Sequence, residues 1–83
     1  MIIMSESISP DETVDSRGAA CPGPLMDLIG KIQDAEPGTV IELQTSDSGS
    51  KGDVPEWVDE AGHELLDTVE RDDYWSIYVE KTD

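Results

Sequence analysis

The sequence predicts an α/β (α+β) two-layer sandwich of βαβαββ order, with two helices on one face of a four-stranded mixed sheet. Two segments place apolar residues at helical spacing, and the segments around them alternate apolar with polar residues as strands do. The length of 83 residues, with a mass of 9.1 kDa, leaves room for one hydrophobic core.

The segment before the first predicted strand shows no sustained period and ends in a proline. We therefore expect residues 1–10 to form a flexible leader and residues 11–83 to form a single domain. Residues 12–16 predict a short strand, and a loop rich in small residues, 17–20, leads from it to Cys21.

The first helix is predicted by a stripe of apolar side chains at positions i, i+3, i+4 and i+7, namely Leu25, Leu28, Ile29 and Ile32. Pro22 and Pro24 suit the first helical turn, where a missing N–H costs no hydrogen bond. A Pro-Gly dipeptide ends the pattern, so we expect the helix over about 22–34. Gly30 costs up to about 1 kcal/mol of helix propensity relative to alanine, and we expect it to mark close packing.

The second strand is predicted over 39–46, because a β-branched start is followed by alternation of apolar and polar residues. Glu42, Gln44 and Glu80 indicate that the face of the sheet away from the helices is partly solvated. Residues 47–52 have the composition of a loop.

The second helix is expected over about 54–61. Asp53 offers an N-cap and Glu56 completes the spacing of a capping box. Gly62 is expected to end this helix. Its apolar stripe again follows the spacing i, i+3, i+4 and i+7, in Val54, Trp57, Val58 and Ala61.

The last part of the domain predicts a closing β-hairpin, with strands over 65–70 and 74–81 and a polar turn at 71–73. The second of these strands alternates cleanly and places Trp75, Ile77 and Val79 on one side. The first strand–helix–strand unit is expected to be a right-handed parallel crossover.

The charge of the chain argues against direct binding of nucleic acid. The chain has 20 acidic and 5 basic residues, a net charge of −15 and a pI near 4.1. Such a surface repels phosphate, so we expect no direct binding of nucleic acid. Acidity spread along the whole chain is typical of a protein from a halophile. The alternative is an acidic protein that docks on a basic partner.

The cellular compartment is predicted from the single cysteine and from the absence of a membrane-spanning run and a signal peptide. No apolar run approaches the ~18 residues that cross a bilayer, so we expect no membrane insertion. The first residues have neither the basic region nor the long apolar stretch of a signal peptide. A lone cysteine excludes an internal disulfide and a multi-cysteine zinc site. A lone thiol and no export signal therefore predict a protein of the reducing cytoplasm. We also expect a monomer.

Cys21 is the residue best suited to nucleophilic chemistry, since it precedes the first predicted helix between small residues and Pro-Gly-Pro. Helix N-termini favour the thiolate, which is the reactive form of cysteine. The alternative is a small buried hydrophobe. Arg17 and Lys31 are the nearby basic residues, equally consistent with thiolate stabilisation and with ordinary surface charge.

Acyl transfer is poorly supported because no general base adjoins the cysteine in sequence. His63, the one histidine, follows the second predicted helix and is interpreted as a capping or packing residue. Persulfide exchange needs no adjacent general base, since sulfur arrives on a donor and leaves to an acceptor by thiolate exchange. No calcium-loop spacing occurs, and aspartates such as Asp47 are interpreted as caps. Trp57 and Trp75 lie on apolar stripes and are expected in the core.

The run from Asp15 to Pro24, with Gly18 three residues before the cysteine and Cys-Pro-x-Pro after it, resembles the signature of the TusA/SirA-like sulfurtransferase family. The later segments 47–55 and 62–65, with Trp57 between them, also resemble the family's second half. The resemblance covers residues from about 12 to 81. It implies the same βαβαββ sandwich.

The resemblance implies a sulfur carrier in which Cys21 holds sulfane sulfur as a persulfide and Pro22 and Pro24 form its supporting turn. It implies a cysteine desulfurase or rhodanese-like donor and an acceptor protein of tRNA 2-thiouridine synthesis, molybdenum cofactor synthesis or sulfur metabolism. It implies no cofactor beyond the covalent sulfur. Two alternatives are a redox-sensing thiol protein without sulfur transfer and an acidic adaptor with an inert thiol.

Overall fold

The computed structural model describes residues 10–19 and 23–82, and it confirms the predicted element order. The strands and helices are β1 (Glu12–Asp15), α1 (Gly23–Asp34), β2 (Val40–Thr45), α2 (Ser48–Ala61), β3 (Glu64–Glu70) and β4 (Trp75–Glu80). The sheet order is β1-β2-β4-β3. β1 is parallel to β2, whereas β4 is antiparallel to both of its neighbours. The four-stranded mixed sheet with two helices is therefore confirmed.

One hydrophobic core lies between the sheet and both helices. In the register of β2 and β4, Ile41 pairs with Val79 and Leu43 with Ile77, so these four side chains share a face. All four are fully buried. The helices contribute the remaining core residues, which are Leu28 and Ile32 from α1 and Val54 and Val58 from α2. The predicted apolar stripes thus face the sheet through these residues, whereas Ile29 is half-buried outside this cluster and the prediction is wrong for Ala61, which is exposed.

The opposite face of the sheet is polar but only partly solvated. Glu42, on β2, accepts a 2.7 Å hydrogen bond from the hydroxyl of Ser76. Arg71 donates to Ser76 Oγ at 3.0 Å and to the hydroxyl of Tyr78 at 2.8 Å. Ser76 and Tyr78 are buried, although they alternate with the core residues of β4 and point away from the helices. Alternation alone does not predict buried residues on this face.

The start of α2 differs from the prediction. The segment 47–52, expected as a loop, contains the first turns of the helix, which begins at Ser48. The N-cap is Asp47, not Asp53. The loop-like composition is overridden here because Ser50 is bonded locally to the cap and is completely buried, so a capping bond and tertiary packing together hold the turn. The predicted end is confirmed, since Gly62 caps the helix with φ +85°.

The bounds of α1 agree with the prediction, but Gly30 does not mark close packing. This residue is exposed, and a Cβ built on it would meet no atom within 4 Å. The helix instead packs through Leu28 and Ile32 on its other side. Within the described residues, neither helix is long and apolar enough to cross a membrane.

Candidate functional site

The cysteine segment lies between the end of β1 and the start of α1. Cys21 and Pro22, which the sequence singles out, fall outside the described residues. Pro24 is described and lies in the first turn of α1, where it is fully buried. The two flanks of the cysteine are 15–19, which follows β1, and 23–27, which opens α1.

The loop before the cysteine is attached to the sheet by backbone hydrogen bonds. The N–H of Ser16 donates to the carbonyl of Gln44 at 2.8 Å, extending the β1–β2 ladder by one residue. The N–H of Gly18 then donates to Ser46 Oγ at 2.9 Å. Gly18 has φ +88°, a conformation that glycine adopts without steric cost. A tight turn at Gly18 thus directs the chain from the sheet edge toward α1.

The start of α1 is joined directly to this loop. Ser16 Oγ donates a 2.7 Å hydrogen bond to Oδ2 of Asp27, eleven residues later in the chain. A Cβ built on Gly23 would lie 3.5 Å from Cβ of Ala19, so the two ends of the intervening segment also approach each other. The flanks of the cysteine are therefore held together by one side-chain hydrogen bond, and Gly23 lies close to the side chain of Ala19.

Arg17 lies in the same loop, and its charge is already paired. Its backbone N–H and Nε donate to Oδ1 of Asp15, and Nη2 donates to Oδ2, all within 2.9–3.1 Å. The guanidinium also lies over the ring of Tyr74, 5.1 Å from its centroid. These hydrogen bonds lower the pKa of Asp15 to about 2. The carboxylate in turn raises the pKa of Arg17.

Lys31, the other basic residue near the cysteine in sequence, lies 3.7 Å from a carboxylate oxygen of Glu12. Both candidate cations thus have an acidic neighbour within ion-pair distance. Beside the loop, an open cavity of about 370 Å³ is lined by Asp15, Arg17, Gly18, Ser46 and Asp73. The described surroundings of the site are polar, and the arginine side chain that lines this cavity is neutralised by Asp15.

Other residues considered from the sequence have structural partners. The ring of His63 lies 5.7 Å from that of Trp57, and its Nδ1 accepts from the backbone N–H of Thr82 at 3.3 Å. Trp57 packs against the core, as predicted. The same prediction is wrong for Trp75, which is half-buried outside the core cluster, with Lys51 Nζ 5.0 Å from its ring centroid. In 10–19 and 23–82, no three His, Cys, Asp or Glu side chains are arranged to hold a metal ion.

Sequence reasoning did not identify Ser16 and Asp27 as part of the site. Both are common residue types, and neither occupies a position that periodicity marks as special. The available signal was the predicted topology, since a parallel crossover brings the end of the first strand close to the start of the first helix. That signal indicates proximity of segments and does not pair individual side chains.

Comparison with known proteins gives a consistent result. Residues 12–81 match the family model described as Sulfurtransferase TusA. A candidate sulfur carrier protein of Archaeoglobus fulgidus is 50% identical over 68 residues, which cover 82% of this chain and 93% of that protein. The Sulfur carrier protein TusA of Pseudomonas aeruginosa is 30% identical over 73 residues, covering 88% of this chain and 92% of the relative.

The fold also has a solved counterpart. The crystal structure of a SirA-like protein from Desulfitobacterium hafniense superposes with a TM-score of 0.76. It covers 87% of this chain and 99% of its own, at 18% sequence identity, and therefore supports the fold alone. Because the family match extends from β1 to the end of β4 and the relatives align over most of their length, this chain belongs to the TusA/SirA-like family of sulfur carriers.

Proposed function

We propose that this protein carries sulfane sulfur as a persulfide on Cys21, with Pro22 and Pro24 supporting the turn. The observation that carries the proposal is the extent of the family match. It spans 12–81 and so includes the chain's one cysteine within the Cys-Pro-x-Pro motif. The anchored flanks support it, because a cysteine that meets two partners in succession needs a fixed place on the surface.

The proposed transfer is an exchange at sulfur. The Cys21 thiolate attacks the terminal sulfur of a donor persulfide, the donor S–S bond breaks, and the donor leaves as a thiolate. Cys21 then carries the sulfur as Cys–S–S⁻, protonated according to pH. An acceptor thiolate attacks that terminal sulfur in the same way and regenerates the Cys21 thiolate. No electrons are gained or lost overall, so no external oxidant or reductant is required.

The partners in this proposal are proteins. The donor is a cysteine desulfurase or a rhodanese-like enzyme. The acceptor belongs to tRNA 2-thiouridine synthesis, molybdenum cofactor synthesis or sulfur metabolism. The exchange takes place in the reducing cytoplasm, uses no bound cofactor and involves no direct contact with nucleic acid, since the net charge is −15.

The test is mass spectrometry of the intact protein after incubation with a cysteine desulfurase and cysteine. We expect a mass increase equal to one sulfur atom on the wild type, removed by dithiothreitol. The control is Cys21→Ser, which should remain folded and gain no sulfur. A rhodanese with thiosulfate provides a second, unrelated donor.

Two results would contradict the proposal. If neither donor loads the wild type while both load a known carrier in parallel, the protein does not accept sulfane sulfur. If Cys21→Ser gains sulfur as readily as the wild type, the modification is not specific to the cysteine. Reversible oxidation of Cys21 without sulfur loading would instead support a redox-sensing thiol protein.

A further inference from the structure

We infer that Ser16 and Asp27 form a positioning pair that sets how readily Cys21 accepts sulfur. The inference rests on the proposed function, because it concerns the reactivity of the same cysteine. Ser16 precedes Cys21 by five residues and Asp27 follows it by six, and their side chains are joined at 2.7 Å. The pair therefore closes the loop that contains the cysteine.

The serine end of the pair is fixed to the sheet. Ser16 is 3% exposed, and its backbone N–H is bonded to the carbonyl of Gln44 on β2. A buried hydroxyl left without a partner is unfavourable, so its bond to Asp27 is strongly preferred over no bond. The carbonyl of Ser16 also accepts from the N–H of Ala19 at 3.1 Å. Every polar group of this residue is thus used in holding the loop.

The aspartate end of the pair is fixed to the helix. Asp27 lies at the fifth position of α1, and side chains in a helix lean toward its N-terminus. This lean brings the carboxylate over the first turn, next to the loop that it contacts. Through Ser16, the start of α1 is therefore connected to the central strand β2 by a continuous chain of hydrogen bonds.

The carboxylate has a second effect that can be separated from the first. A negative charge near the start of a helix disfavours another anion there, including a thiolate. Donation from Ser16 both orients the carboxylate and partly offsets its charge. The pair thus does two things: it holds the flanks of Cys21 together through the bond and limits thiolate formation through the charge.

Three single substitutions and one double variant separate these effects. Ser16→Ala removes the bond and keeps the charge, whereas Asp27→Asn removes the charge and keeps a carbonyl acceptor for the serine. Asp27→Ala removes both, and the double variant Ser16→Ala/Asp27→Ala tests whether the two residues act as one unit. Each variant is measured for loading from a desulfurase and for alkylation of Cys21 by iodoacetamide across pH.

The matched control is Ser76→Ala. Ser76 is also a buried serine that donates a 2.7 Å hydrogen bond to a carboxylate, that of Glu42, but it lies on β4 in the polar face of the sheet. Ser76 Oγ also accepts from Arg71, so Ser76→Ala removes at least as much side-chain bonding as Ser16→Ala and reports the general effect of such a loss on this fold. Thermal unfolding of each variant shows that the reactivity is measured on folded protein.

We expect Ser16→Ala to slow loading at saturating donor by about fivefold, the size expected from loss of one ordinary hydrogen bond. The donor concentration at half-saturation should stay unchanged, because docking is not altered. The midpoint of alkylation should move to higher pH in Ser16→Ala and to lower pH in Asp27→Asn. The double variant should load no more slowly than the slower single variant.

The inference is overturned if Ser16→Ala matches Ser76→Ala in loading and in the pH profile, or if the two alanine substitutions act additively. Alkylation requires only a thiol, so it distinguishes this failure from failure of the proposed function. If the wild type never loads sulfur, but the alkylation midpoint still moves to higher pH in Ser16→Ala and to lower pH in Asp27→Asn, the pair is upheld and the carrier is rejected. If the Ser16 and Asp27 variants load sulfur as fast as the wild type, the carrier is upheld and the role of the pair is rejected.

Discussion

Oδ2 of Asp47 accepts two hydrogen bonds from Ser50, one from its backbone N–H at 2.8 Å and one from its hydroxyl at 3.0 Å. The backbone bond is that of an N-cap, and it satisfies an N–H that the first turn of a helix leaves without a partner. The second bond satisfies a hydroxyl that is completely buried. Together they explain why α2 begins at Ser48 in a sequence of glycines and serines.

Replacing the cap should destabilise the domain. We expect Asp47→Ala to lower the free energy of unfolding by about 0.5–2 kcal/mol, as is usual for loss of an N-cap. Asp47→Asn is the control, because asparagine caps about as well as aspartate. Urea denaturation measures both. Equal losses in the two variants would show that charge, and not the cap, is what matters at this position.

Leu28 should be essential for stability. It is fully buried at the centre of the core, so Leu28→Ala should cost roughly 2–5 kcal/mol. In a domain of this size that loss can approach the whole stability. Leu65→Ala, at a leucine that is 38% exposed, is the matched control and should cost far less. A Leu28→Ala variant as stable as the wild type would contradict the assigned face of α1.

Two glycines should respond to alanine in opposite directions. Gly30→Ala should stabilise the protein by up to about 1 kcal/mol, because the position is helical, exposed and free of close neighbours. Gly62→Ala should destabilise it, because φ is +85° and a side chain is strained there. Thermal unfolding measures both changes: the melting temperature should be higher than that of the wild type in Gly30→Ala and lower in Gly62→Ala. A loss of stability in Gly30→Ala would reveal a packing role at that position.

The Asp15–Arg17 pair should give a distinct acid titration. The pKa of Asp15 is lowered from 3.8 to about 2. The pair's contribution to stability is therefore complete above the pKa of the unfolded chain and is lost as the pH falls from about 4 to 2. Both side chains are about half exposed, so the titration is a better measure than stability. NMR of the carboxyl carbons should show a midpoint near 2, returning toward 3.8 in Arg17→Gln. An unchanged midpoint in that variant would exclude the arginine as the cause.

Stability should rise with salt. A net charge of −15 on 83 residues repels itself, and molar KCl reduces the reach of that repulsion to about 3 Å. We expect a higher melting temperature in molar KCl than in dilute buffer. The difference should shrink in the double variant Glu64→Gln/Glu70→Gln, which removes two exposed charges from β3. Equal melting temperatures in both salts would contradict a halophilic adaptation.

Much of the fold could be predicted from periodicity, because the core imposes it. The helical stripe that includes Leu28 is visible in the sequence because it faces the sheet. The alternation through Ile77 is visible because that face of β4 packs against the helices. The start of α2 could not be predicted this way. Its first turns carry one buried residue, Ser50, which is polar, so no apolar spacing marks them. Local composition therefore favoured a loop, although a local cap and the burial of Ser50 hold these turns as a helix.

The candidate site could be predicted only in part. Cys21 is conspicuous because its residue type and its neighbours are unusual, and its role stays a prediction. The Ser16–Asp27 bond joins residues eleven apart across a turn, and its existence depends on the exact approach of β1 to α1. Likewise, the pairing of Arg17 with Asp15 depends on rotamers. Such contacts follow from the assembled fold, and sequence spacing does not specify them.

The strand order β1-β2-β4-β3 leaves β3 at one edge of the described sheet, which exposes its backbone to pairing with other molecules. Two features disfavour such aggregation: the carboxylates of Glu64, Asp67 and Glu70, and a register shift between Leu65 and Asp67. Salt weakens the first and leaves the second unaffected. At high salt, where the fold is expected to be most stable, the irregular backbone of β3 therefore becomes its main protection against edge-to-edge assembly.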